Sequence, residues 1–223
     1  MPNIFISREL TADSVFLQRL QSAGFEVVGV SLVQFQAILF LHLPQADWVF
    51  FYSKQAVHFF FENLQSLPFE WKGKIAAMGE GTAKAVVNKG YLVNFVGNGE
   101  PKATAALFLE SAAKQKVLFP RASNSRQSIQ KLLENQLEAF NLIVYENQPR
   151  TDFELPDCDW LVFTSPMNAQ AYFQKYPAKA EQKVLAIGTT TAETLKLLGV
   201  PEVIIAKEAS ELALAQAILD TSL

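Results

Sequence analysis

Short runs of β-branched and aromatic residues alternate along this chain with stretches of helical periodicity. Strands are expected at 3–7, 25–30, 47–52, 74–78, 92–96, 116–119, 140–145, 159–164, 183–187 and 202–206. Between them, Phe16, Leu20 and Ala23 recur at one helical face, as do Val57, Phe60, Phe61 and Leu64. Gly24, Gly90 and Gly199 each stand where such a stretch meets the next strand, the position of a left-handed helix end. The strands are apolar throughout rather than alternating, which calls for cover on both faces. Strand, helix, glycine, strand at this tempo predicts βαβ units and parallel sheets, an α/β fold class.

The pattern then repeats. Asp47-Trp48-Val49-Phe50-Phe51-Tyr52-Ser53 returns as Asp159-Trp160-Leu161-Val162-Phe163-Thr164-Ser165. Lys74 to Gly79, followed by Thr82-Ala83, returns as Lys183 to Gly188, followed by Thr191-Ala192. Ile4-Phe5-Ile6-Ser7-Arg8 similarly matches Val117-Leu118-Phe119-Pro120-Arg121. Three matches in one order at nearly one spacing make the chain two copies of a unit of roughly 110 residues, hence two similar lobes. The repeat leaves open whether each lobe is one copy, split near residue 112, or a mixture of both. Ser31–Gln36 and Glu146–Leu155 fall at joints between half-units, and the second, polar with two prolines, reads as an extended linker.

Composition narrows the classes. Half of the 223 residues are apolar and 18% are charged, an ordinary globular balance. The net charge is -3 and no Lys/Arg block stands out, so nucleic acid is not expected as a partner. Apolar runs such as Ala37–Leu41 fall far short of the ~20 residues of a membrane helix. The start, Met-Pro-Asn-Ile-Phe-Ile-Ser-Arg, reads as a strand rather than a signal peptide. A single cysteine, Cys158, excludes an internal disulfide and is expected to be a buried structural thiol. A soluble cytoplasmic protein, with no membrane partner, follows as the expectation.

In open parallel sheets, ligands bind beyond the carboxyl ends of the strands. Those junctions here carry Ser7-Arg8, Ser53-Lys54, Gly79-Glu80-Gly81-Thr82, Gly97-Asn98-Gly99, Arg121-Ala122-Ser123-Asn124-Ser125-Arg126, Thr164-Ser165-Pro166 and Gly188-Thr189-Thr190-Thr191. Any one hydroxyl residue there could simply cap its helix. As a set they would form a broad lining of neutral donors at helix N-termini, suited to a large polyanion. Two histidines, with no Cys or carboxylate cluster at ligand spacing, make a metal site improbable, and His58 is expected to pack among aromatics. Gly-x-Gly-x-x-Gly, Walker and Gly-x-Ser-x-Gly motifs do not occur at the required places. A reaction without a cofactor, or plain binding, is left.

At these junctions the sequence resembles a known family. Phe163-Thr164-Ser165-Pro166, followed by Ala186-Ile187-Gly188-Thr189-Thr190-Thr191-Ala192, resembles the C-terminal signature of uroporphyrinogen-III synthases. Val144-Tyr145 and Phe5-Ile6-Ser7-Arg8 extend the likeness to the whole chain. Thr189 stands where the family often has proline, and Met167-Asn168 where small residues are commoner. The resemblance implies two flavodoxin-like lobes joined by two extended linkers, near 32–37 and 146–155. One lobe would combine 1–35 with 152–223; the other would be 38–147.

The implied reaction closes the linear tetrapyrrole hydroxymethylbilane into uroporphyrinogen III, with inversion of the last ring and loss of water. It uses neither metal nor cofactor. The implied acid is Tyr145. The implied substrate-binding set is Ser7, Arg8, Ser53, Thr82, Arg121, Ser123, Thr164, Ser165, Thr190 and Thr191, with Lys54 and Arg126 as further cations for the eight substrate carboxylates. A monomer is expected, receiving its substrate from the preceding pathway enzyme. The rival reading is a non-enzymatic two-lobed binding protein for a polyanion or sugar. Its aromatics should line the cleft, whereas here they fall in strands and helix faces. A third class, a scaffold of regulator-like domains, should carry acidic residues at the first strand end, where Ser7-Arg8 stands.

Overall fold

The computed structural model describes residues 3–68 and 70–222, Ser222 by its backbone alone. The outer ends of the expected 1–35 and 152–223 segments, Met1-Pro2 and Leu223, lie outside the described residues. The elements follow in chain order as β1 (Asn3–Ile6), α1 (Val15–Ser22), β2 (Glu26–Gly29), β3 (Val33–Ala37), β4 (Trp48–Phe51), α2 (Lys54–Gln65), β5 (Lys74–Ala77), α3 (Glu80–Asn88), β6 (Phe95–Val96) and α4 (Pro101–Ala112). Then come β7 (Lys116–Ala122), α5 (Ser128–Leu132), β8 (Glu138–Pro149), β9 (Trp160–Phe163), α6 (Pro166–Lys175), β10 (Lys183–Ala186), α7 (Thr189–Leu197), β11 (Ile204–Ile205) and α8 (Glu211–Ser222). The fold is α/β, with helices flanking two sheets whose ladders are parallel except at β3–β8, where Ile38 N to Val144 O and Arg150 N to Leu32 O run antiparallel.

The chain divides into two compact units, Met1–Gln34 with Gln148–Leu223, and Phe35–Asn147. In the first unit the strand order is β11-β10-β9-β1-β2. The pairs β1–β2, β1–β9, β9–β10 and β10–β11 are all parallel. Two cores form on its faces. One gathers Phe5, Leu161, Phe163, Tyr172 and Leu195, the other Ile4, Ile6, Phe16, Leu20, Leu214 and Ile218. The central strand β9 is buried at every position, which is why its sequence does not alternate.

In the second unit the order is β3-β8-β7-β4-β5-β6, and the β8–β7, β7–β4, β4–β5 and β5–β6 pairs are parallel. Phe51, Val57, Phe60, Phe61 and Leu64 fill one face; Phe50, Phe108, Phe119 and Ile129 fill the other. Pro120 stays within β7 opposite Leu142. A register irregularity between Arg121 and Ala122 follows it, where Ala122 faces Tyr145.

The duplicated sequence builds duplicated hydrogen bonding. In the second unit Asp47 accepts from Lys116 N at 2.9 Å through Oδ2, and its carbonyl accepts from Lys74 N at 2.9 Å. In the first, Asp159 accepts from Asn3 N at 2.8 Å, and its carbonyl accepts from Lys183 N at 2.9 Å. Lys74 and Lys183 each place Nζ 5.2 Å above the adjoining Trp48 or Trp160 ring. Each sheet mixes the copies. β1 of the first copy lies beside β9 of the second, and β7 of the second beside β4 of the first.

The ten expected strands all occur. The segment 31–36, read as a joint, instead carries β3, and β8 runs on through Pro149 into the stretch read as linker. β3 and the 146–149 end of β8 are polar and held by backbone pairing, whereas Phe140, Leu142, Val144 and Tyr145 of β8 face the core; Ile38 N donates to Val144 O at 3.0 Å just beyond β3. Gly24, Gly90 and Gly199 all have positive φ, at 85°, 87° and 86°, as helix ends of this kind require. His58 meets the Phe59 ring edge-on at 5.0 Å, yet it is half exposed, with Nδ1 3.3 Å from Glu62 one helical turn on. Cys158 is buried, its thiol pushed up to about 11 by burial and by the charges of Asp157 and Asp159.

Candidate functional site at the carboxyl ends of the strands

At the carboxyl rim of the first unit, Ser7 and Thr164 end the adjacent strands β1 and β9 and bind each other. Thr164 N donates to Ser7 Oγ at 2.8 Å, Thr164 Oγ1 donates to Ser7 O at 2.8 Å, and the two hydroxyls lie 3.2 Å apart. Ser7 is buried, so this clasp uses its hydroxyl for the rim itself. Ser165 caps α6, accepting from Asn168 N at 3.3 Å and from Asn168 Nδ2 at 2.8 Å. Asn168 in turn accepts from Leu32 N at 2.7 Å, tying the chain beyond β2 to this helix start. In the sequence Asn168 stood out only as a departure from the family's small residues, although a polar side chain three residues after a capping serine is a recognised helix-start spacing.

Arg8 projects beside this rim, half exposed, with Nη1 3.4 Å from Glu211 Oε1. Glu211 also accepts from Ser14 Oγ at 2.7 Å and Phe16 N at 3.3 Å, so Arg8 is drawn toward the start of α1. Gly188 leads α7 without any side-chain cap, leaving its first-turn amides to other acceptors. Thr190 is exposed in that turn; Thr191, beside it, is buried.

The rim of the second unit has the same plan with different occupants. Ser53 caps α2, accepting from Ala56 N at 3.2 Å, and its Oγ lies 3.3 Å from the Tyr145 hydroxyl. Tyr145, on β8, is buried; Phe59 stacks on it at 5.2 Å and 21°, and Phe35 meets it edge-on at 5.9 Å. Ser123 N donates to Tyr145 O at 3.0 Å, fixing the backbone beside the irregular register. Gly79 leads α3, again without a side-chain cap, and Thr82 is buried in its first turn.

A shallow depression of about 380 Å³ opens there, lined by Lys54, Gly79, Gly81, Thr82, Gly97 and Gly99, among others. A Cβ at Gly97 would fall 2.4 Å from Thr104 Cγ2 and 2.6 Å from Met78 O, so only glycine lets these backbones meet. Lys54 lies along Gly81, its Cε 3.2 Å from where a Cβ there would stand.

Arg121 is half-buried and turned back on its own rim. Its Nε donates to Asn141 Oδ1 at 2.7 Å, and its Nη1 to Ala122 O at 2.9 Å and Ser123 O at 3.2 Å. Beyond it, Gln130 N donates to the Tyr52 hydroxyl at 3.3 Å. Burial raises the Tyr52 phenol above its ordinary range. Ser123 is exposed. The structure therefore sorts the expected residues. Ser7, Thr164, Ser165 and Arg121 are engaged in building the rims, Thr82 and Thr191 are buried, and Arg8, Ser123 and Thr190 are open to solvent. Among the described residues, no group of three or more His, Cys, Asp or Glu is placed to hold a metal ion, and no helix is long and apolar enough to cross a membrane.

These features define a class: a duplicated, mainly parallel α/β protein whose strand-end rims present hydroxyls, uncapped helix amides and tethered phenols. Comparison with known proteins then specifies it. The family model for uroporphyrinogen-III synthase HemD matches residues 14–216. A curated uroporphyrinogen-III synthase from Chlorobaculum parvum is 26% identical over 227 residues, spanning 90% of this chain and 91% of that protein. The crystal structure of uroporphyrinogen-III synthetase from Helicobacter pylori superposes with a TM-score of 0.70 at 22% identity, over 99% of this chain and all of that one. A mutant uroporphyrinogen III synthase from Thermus thermophilus gives 0.53 at 17% identity, over 100% of this chain and 99% of that one. The two structures share the fold. The chain belongs to the uroporphyrinogen-III synthase family, cyclising lyases of tetrapyrrole synthesis.

Proposed function

We propose that this chain closes hydroxymethylbilane to uroporphyrinogen III, with Tyr145 as the acid. The observation that carries the assignment of the acid is the tethered phenol: Tyr145 stands within β8 opposite Ala122, the last residue of β7, held on Ser53 and stacked on Phe59. Protonation of the terminal hydroxyl breaks its C–O bond and releases water, leaving an azafulvene. The azafulvene carbon bonds to the substituted carbon of the last pyrrole, giving a spiro intermediate that fragments and recloses with that ring inverted. The ring proton lost on rearomatisation restores the acid. Unassisted closure gives the uninverted isomer, so most of the catalytic advantage is orientation of a flexible chain, supplemented by proton donation.

Eight substrate carboxylates meet a protein of net charge -3, so local donors must provide the attraction. Thr190, Ser123 and Arg8 are the exposed candidates, together with the uncapped amides that begin α3 and α7 and the Lys54 ammonium. Ser7, Thr164, Ser165 and Arg121 support those donors by shaping the rims. The protein acts as a monomer in the cytoplasm, taking its short-lived substrate from the enzyme that makes it. The deciding assay supplies freshly generated hydroxymethylbilane and separates the product isomers. Type III product is expected; type I alone would overturn the assignment.

A further inference from the structure

We propose that Ser53 is a positioning residue for Tyr145, orienting the phenol and stabilising it once its proton has gone. The proposal rests on the reading of Tyr145 as the acid. The Ser53 hydroxyl has one proton and two lone pairs. Ala56 N occupies one lone pair at 3.2 Å, which anchors the oxygen to the first turn of α2. The remaining partner at hand is Tyr145 Oη at 3.3 Å. With Ser53 donating, the phenol keeps its own proton for the substrate, and the phenolate that follows retains a donor. A hydrogen bond to a developing charge is stronger than the same bond to a neutral phenol, so its benefit falls mainly on the transition state. Phe59 against one ring face, with Phe35 at the edge, keeps the phenol from swinging off this line.

The duplication supplies an internal control. Ser165 is the counterpart of Ser53, and caps α6 as Ser53 caps α2. The counterpart of Ala56, however, is Asn168, whose amide donates to Ser165 Oγ at 2.8 Å and whose oxygen accepts from Leu32 N. In the first unit, therefore, the capping hydroxyl is occupied by an amide that ties down backbone. In the second, alanine takes that place, and the serine faces a phenol instead. One junction has remained structural while its copy has a hydroxyl available for another task.

A double-variant cycle tests this, reading kcat, KM for hydroxymethylbilane, and the melting temperature of each protein. Ser53→Ala should lower kcat about tenfold, the worth of one charge-assisted hydrogen bond, with KM changed less than about twofold. Ser53→Thr, which keeps cap and hydroxyl, should restore the rate. In a Tyr145→Phe background, Ser53→Ala should cause no further loss, because the group it serves has gone. A Ser53→Ala enzyme that melts lower but turns over at the parent kcat would reduce Ser53 to a helix cap and overturn the proposal. Losses that multiply independently in the double variant would overturn it too. Should Tyr145→Phe itself leave kcat unchanged, the acid assignment fails first, and that outcome is distinct from the other two.

Discussion

Tyr145 combines burial with a polar tether, and the two make separable contributions. Replacing it with phenylalanine keeps the stacking on Phe59 and removes only the hydroxyl bonded to Ser53. Turnover of Tyr145→Phe is expected to fall by about 100-fold or more, the usual scale for a lost general acid. Its stability should change by only about 1 kcal/mol, read from urea melts. An undiminished rate would remove the acid role. Cys158 shows the opposite case, a reactive atom made inert. Because burial and two neighbouring carboxylates push its thiol up to about 11, little thiolate exists at pH 8. Ellman's reagent should therefore label the protein at pH 8 only after denaturant is added; rapid labelling of the native protein would contradict the burial.

Single residues were unevenly legible in the sequence. Cys158 could be read as buried because it lies beside a strand start. His58 could not be placed, since a helix's apolar stripe does not say on which side of its edge a flanking residue falls. Arg121 looked like a ligand for carboxylates because sequence gives charge but not direction; in the fold its guanidinium closes on backbone carbonyls of its own strand end.

Among the elements, the helix starts that the repeat matches most closely fall into two kinds. α2 and α6 begin on serine caps, whereas α3 and α7 begin on glycines that supply no side-chain acceptor. An anionic ligand gains more from the second kind, because their first-turn amides lack a side-chain acceptor from the cap position. Thr190→Ala, at an uncapped start, should raise KM severalfold with little change in melting temperature. Ser165→Ala should instead destabilise by about 1 kcal/mol through loss of a cap. If both together leave substrate affinity unaltered, these starts are structural only.

The strands expected from apolar runs all formed because burial on both faces leaves a signal in composition. β3 and the outer half of β8 escaped notice for the converse reason. Gln34, Phe35, Gln36 and Ala37 are exposed, so little in their side chains betrays a strand that backbone pairing holds. The site was legible only as a set of junctions. Which hydroxyl serves structure and which remains available depends on partners such as Asn168 and Glu211, remote in sequence from the residues they engage.

For the whole molecule, the repeat gave the number of copies, while the pairing of strands gave their distribution. The first unit needs both ends of the chain: β1 lies between β2 and β9, and Ile4 pairs with Trp160 across most of the sequence. The second unit is one continuous segment, from Phe35 to Asn147, whose first and last strands are sheet neighbours. A fragment spanning 33–149 should accordingly give a cooperative urea transition on its own, whereas 1–34 should remain unfolded when expressed alone. A fragment 33–149 with no transition would show that the second unit depends on the rest of the chain.

That neighbouring of β3 and β8 has a consequence for the order of events on the ribosome. Joining β1 to β9 through an unstructured intervening segment of roughly 150 residues would cost about 4 kcal/mol in chain entropy. Once the middle segment has folded, its two ends emerge side by side, and the loop to be closed shrinks to the roughly 35 residues outside it. The middle of this protein is thus synthesised second but should mature first, and β1 waits, unpaired with β9, until the last third of the chain arrives.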